Sequence, residues 1–132
     1  MSLWRKEALD RLPELSALIS SPHVDNPMVL WIEIQTTFGQ LCEKDPLPLE
    51  LLRRLWGYAK WSMEQRHDAL VTAVHVAFCE HLLGRERVER ALPQIMTRRD
   101  FLSMREALLY HNAASVVDRV ANEFAPPTTK RK

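Results

Sequence analysis

A chain of 132 residues with 46% apolar and 27% charged side chains has ordinary globular composition; one domain of this length buries roughly two-thirds of its unfolded surface. Three glycines (Gly39, Gly57, Gly84) are too few for a glycine-rich phosphate loop or a turn-rich β-sandwich, and the apolar runs are too short for a membrane-spanning helix. Net charge is +1, and Lys130, Arg131 and Lys132 more than account for it, so the rest of the chain lacks the basic stripe of a nucleic-acid binder.

The opening, "MSLWRKEALDRL", lacks the apolar core and cleavage site of a secretory signal, so a cytoplasmic protein is expected. Cys42 and Cys79 are then read as reduced thiols that pack as small hydrophobes. Trp4, Ala8, Leu9 and Leu12 fall at helical spacing, and Pro13, lacking an amide hydrogen, ends that helix or starts a short one through Ile19. The loop "SSPHVDNP" ends on a start signal, with Asn26 placed to cap and Pro27 at the first helical position. From Pro27 to Lys44, the residues Leu30, Trp31, Ile34, Phe38, Leu41 and Cys42 share one face. Pro46 and Pro48 break the chain, and Leu49–Met63 is a third long helix whose apolar arc implies burial on more than one side.

The next helix is expected from Glu64 or Asp68 to Leu83, closed by Gly84 as a left-handed cap. A short helix over Glu86–Ala91 should end before Pro93. Thr97, with Asp100 three residues on, resembles a capping box that opens a helix through Tyr110. A last helix, Ala113–Phe124, sets Val116, Val117, Val120 and Phe124 on one side. Residues 1–125 then form a single helical domain, and 126–132 a disordered basic tail. The expected fold is all-α: a bundle of about five to seven helices, or a short solenoid-like stack.

The stretch "WGYAKWSMEQRHDALVTAVHVAFCEHL", Trp56–Leu82, holds most of the chemistry-bearing side chains. On one continuous α-helix, His67, Val71, Val74, Phe78 and His81 make a core stripe with a histidine at each end. Asp68, Thr72, His75 and Cys79 fall on a neighbouring face. Glu64-x-x-His67 has the form of a di-iron half-site, but no other histidine here follows a glutamate by three. His75 and Cys79, four apart, could offer two zinc ligands, with His111 or Cys42 completing a set. An enzyme or metal-binding bundle would therefore draw on Glu64, His67, His75, Cys79, Glu80, His81 and His111. The blander reading gives the histidines to the edge of an apolar stripe and Cys79 to packing, since mid-helix is a poor place to activate a thiol.

Tyr58 and Trp61 lie three apart beside Arg54, which suits an interface anchor or a core pair with a polar edge. "MTRRDFLSMREAL" could be a recognition helix presenting Arg98, Arg99 and Arg105, but the link from Gly84 to Thr97 is long for a helix-turn-helix. Charge is uneven along the chain. Asp25–Glu50 holds five acids against Lys44, and Arg85–Arg105 six arginines against three acids.

From Tyr58 to Tyr110 the residues Tyr58-Ala59-x-Trp61, His67-Asp68-Ala69, Phe78-x-Glu80-His81, Leu92-Pro93 and Arg99-Asp100-Phe101 resemble a group of small helical bacterial proteins without assigned activity. The resemblance implies a soluble helical domain and carries over no catalytic residue; by analogy, some such proteins are toxin-neutralising immunity proteins. The expected function is non-catalytic binding of another protein, an immunity or antitoxin role being its concrete form. Tyr58, Trp61, Arg98 and Arg99 are the candidate contacts. No cofactor, metal or membrane is expected; self-association is a further option, and nucleic-acid binding through Arg98, Arg99 and Arg105 ranks behind the metal or enzymatic alternative.

Overall fold

Trp4, Ala8 and Leu12 recur every four residues; Trp4 and Ala8 are buried on one side of α1 (Leu3–Arg11) and Leu12 just past its end in the computed structural model, which describes residues 1–124. Pro13 ends that helix and opens a 3-10 turn (Pro13–Leu15) leading to α2 (Ser16–Ile19). The Arg54 Nη1 amine holds this corner by donating to the Arg11 carbonyl (2.8 Å) and to Glu14 Oε1 (2.8 Å). Arg5 spans the following loop, its guanidinium donating to the carbonyls of Ile19 and Val24.

Asn26 caps α3 (Pro27–Cys42) as its spacing predicts, accepting from the Val29 amide at 3.0 Å. The face of Leu30, Trp31, Ile34, Phe38, Leu41 and Cys42 is buried. After the proline break, α4 (Leu49–Met63) buries Leu52, Leu55, Trp56, Tyr58 and Ala59. An aromatic chain joins these helices. Tyr58 lies between Trp31 (5.3 Å) and Trp61 (5.9 Å), with both contacts stacked. Trp31 continues to Phe78 (5.2 Å), and Phe78 meets Phe38 edge-on (5.1 Å).

The helix expected over Glu64–Leu83 is three segments: α5 (Asp68–Ala73), a π turn (Val74–Phe78) and a 3-10 turn (Cys79–His81). A π turn holds more residues than an α-turn, so side chains beyond it change direction. The core positions run Leu70, Ala73, Val74, Ala77 and Phe78, then Cys79, Leu82 and Leu83. The predicted stripe is corrected at both ends: His67 and His81 are exposed. Gly84 closes the run at φ +114°, as its capping role predicts.

α6 (Glu86–Ile95) runs through Pro93 instead of stopping at Ala91. Its extra turn buries Leu92 and Ile95, worth roughly 1.5–3 kcal/mol each, against about 3 kcal/mol for an interior proline. The two leucine-sized side chains win. The helix expected through Tyr110 divides at Met104 into α7 (Arg98–Ser103) and α8 (Arg105–Leu108). Thr97 Oγ1 caps α7, accepting from the Asp100 amide at 3.0 Å. The Asp100 carboxylate does not reach back to the cap; it accepts from Trp56 Nε1 (3.1 Å) and pairs with Lys60 (3.6 Å), docking α7 on α4. α9 (Ala114–Ala121) packs on α7, where Phe124 meets Phe101 at 5.0 Å.

The chain is all-α and encloses one continuous hydrophobic core, and no strand occurs among the described residues. The division of long helices into short ones gives more segments than the five to seven expected. No helix among the described residues is long and apolar enough to cross a membrane. The basic tail lies outside the described residues.

Candidate functional site

Val76 stands outward on the π turn, a ridge with a groove on each side. One groove lies between this turn and the α7–α8 corner and has a volume of about 350 Å³. Val71, Val76, Met104 and Ala107 supply its apolar lining, Tyr110 one edge, and Thr72, His75, Ser103, Glu80 and Glu106 its polar groups. The second, about 340 Å³, lies toward α3 between Met28, Ile32 and Gln35 on one side and Val76, Ala77 and His81 on the other. Ile32, Val76 and Tyr110 are 50%, 40% and 72% exposed, so apolar surface continues across the ridge.

Glu80 sits at the end of the first groove with only 12% of its side chain exposed, and its Oε1 lies 3.0 Å from His111 Nε2. The His111 ring stacks on His81 at 4.8 Å. Thus Glu80, His81 and His111 gather where α8 meets the 3-10 turn, while His75 lines the groove beside them.

The other predicted ligands do not join this cluster. Glu64 and His67 are not on one helix: Glu64 ends α4, and His67 caps α5 by accepting from the Leu70 amide through Nδ1 (3.2 Å). The half-site reading is therefore corrected, because the chain breaks between its two members. His75 and Cys79 do not share a surface either. The π turn carries Cys79 into the core, where burial pushes its thiol up to about 12, while His75 remains in the groove. Cys42 is likewise buried and free, its thiol pushed up to about 11 by desolvation despite the nearby Arg85. Among the described residues no three His, Cys, Asp or Glu side chains come close enough to hold a metal ion.

Of the predicted protein contacts, Tyr58 is corrected. It is fully buried between two tryptophans, and its hydroxyl donates to the Trp4 carbonyl at 2.8 Å. Burial raises the phenol well above its ordinary range. Trp61 is half-buried at the edge of the same stack. Arg99 is exposed, but Arg98 is half-buried, and Arg105 pairs with Asp118 of α9. The length objection to a helix-turn-helix does not hold, since Met96 and Thr97 alone separate α6 from α7. The recognition helix itself is what is missing, for α7 ends at Ser103.

The uneven charge of the sequence does not persist as two separate faces. Arg85 lies against α3 at Gly39, where a Cβ would come within 1.9 Å of Arg85 Nη1. Arg87 donates to the Glu43 carbonyl at 3.1 Å, and Lys44 and Asp45 line one cleft with Arg87 and Arg90. The acidic and arginine-rich segments form a mixed surface there.

Val76, Met104, Ala107 and Tyr110 are the site residues that spacing did not single out. A π turn leaves no simple periodic mark, but Leu109-Tyr110 just before the polar "HNAAS" was a usable sign of an exposed aromatic. Comparison with family models, with curated proteins and with solved structures gives no match to this chain.

Proposed function

We propose that this domain is a non-catalytic module that binds another protein through the two grooves and the Val76 ridge over the π turn. The observation that carries the reading is the exposed apolar strip of Ile32, Val76 and Tyr110, set against grooves that can receive side chains. Two further features support it. Departures from α-helical winding recur at functional sites, and Val76 stands exposed on this one. Tyr110 combines a large apolar body with a polar tip, the composition of an interface anchor. Occlusion of a toxin's active site by this face is one concrete form of such binding.

The test uses the intact chain and its Val76→Asp variant as baits in extracts of the source cells, followed by titration of each purified hit. Val76 is exposed, so the variant should melt within a few degrees of the parent. A partner that binds the parent stoichiometrically and the variant at least tenfold more weakly is the expected result. Partners that bind both forms equally would sink the assignment to this face.

A further inference from the structure

Resting on that reading, we infer that the groove between the π turn and α8 takes a cationic amphipathic helix of the partner, with a Lys or Arg side chain ending on Glu80 beside a bulky apolar anchor. Charge is the first argument. The carboxylates lining this groove are Glu80 and Glu106, beside His75, and no Lys or Arg among the described residues lines it. Arg105, the cation nearest in sequence, is drawn away by Asp118. An acidic or phosphate-bearing segment would meet two carboxylates and, among the described residues, no Lys or Arg to offset them.

The state of Glu80 is the second argument. Its side chain is largely withdrawn from water, yet among the described residues its one hydrogen-bonding partner is the exposed His111. A carboxylate has about four acceptor sites, and among the described residues His111 occupies one of them. A guanidinium or ammonium arriving in the groove would form a charge-assisted bond with a carboxylate that is largely buried and held in place by His111.

Shape is the third argument. Val71, Val76, Met104 and Ala107 leave an apolar slot next to that carboxylate, and Ile32 and Met28 make a second one across the ridge. Two apolar slots separated by one ridge suit residues three or four apart on a helix, the helix-in-groove mode.

A random-peptide display selection on the intact chain, repeated on Val76→Asp and Glu80→Gln, decides the matter. The expected consensus pairs a Lys or Arg with a large apolar residue three or four positions away. It should disappear on Val76→Asp, and a synthetic copy should bind Glu80→Gln at least tenfold more weakly while both variants keep the parent's melting curve. A consensus that is acidic or uncharged but still lost on Val76→Asp would overturn the cationic partner and leave the binding face standing. Binders indifferent to Val76→Asp, or no enrichment on the parent, would overturn both. A Glu80→Gln variant that binds the cationic peptide as tightly as the parent would remove Glu80 from the inference.

Discussion

Cys79 shows how far one side chain's role depends on its surroundings. Four residues after His75, it reads from spacing as that residue's neighbour on a half-buried face, whereas it is buried in the core with Phe78 and Leu82. Burial raises the Cys42 and Cys79 thiols to about 11 and about 12, from an ordinary 9. Because both folded values lie above the unfolded one, the stability tied to these thiols is complete below about pH 9 and is lost as pH rises toward 12. At pH 8 an aromatic disulfide reagent should therefore titrate no thiol in the native protein and both in denaturant. Rapid reaction of either in the native state would show an open path to it. The packing role of Cys79 was readable from its residue type, but its direction was not. Tyr58 divides similarly: its apolar neighbours at helical spacing suggested the core, while the two tryptophans that enclose it come from α3 and α4.

At the scale of elements, starts and stops were the most legible features, because local chemistry decides them. Asn26 and Thr97 cap where their spacing predicts, and Gly84 turns the chain with a positive φ. The Gly84 amide also donates to Glu89 Oε2 (2.8 Å), and Glu89 Oε1 accepts from Arg119 (3.1 Å), so this turn is connected through α6 to α9. Gly84→Ala meets no steric obstacle but must hold an L-residue at φ +114°. We predict a loss of about 1 kcal/mol or somewhat more, read as a lower urea midpoint with an unchanged slope. No loss would mean that the turn relaxes freely. Interior features were harder to read. The π turn and the break at Met104 leave the composition of a helix intact, and α6 passes Pro93 because Leu92 and Ile95 find core beneath them.

Across the whole molecule, a small number of polar ties connect elements far apart in sequence. Arg54 of α4 joins Glu14 and the Arg11 carbonyl at the first corner, and its hydrogen bond holds the Glu14 carboxyl down at about 2. A folded value below the unfolded 4.5 means that this tie contributes above about pH 4.5 and is lost as pH falls toward 2. Stability measured by urea unfolding should fall across that window, and Glu14→Gln should flatten the fall. Glu14 is exposed, so added salt should reduce the difference between the two proteins. Equal slopes for parent and variant would show that other carboxylates carry the acid response. The site belongs to this scale too. Glu80, His81 and His111 come together only because α8 packs on the 3-10 turn.

The helical class, the one-domain size, the capped helix starts and most of the buried apolar residues can be derived from composition and spacing. Each follows from interactions within a few turns of chain or from the general exclusion of apolar groups from water. Tertiary structure alone decided the phase of the core after Phe78, the joining of acidic and basic segments beside Gly39, and the gathering of Glu80 with His111. The physical reason is shared. A π turn, a close helix approach or a carboxylate–imidazole pair is stable only through partners remote in sequence, and local spacing does not encode where those partners arrive. The Trp56–Leu82 stretch is thus core on one side and, over Val76, exposed apolar surface on the other.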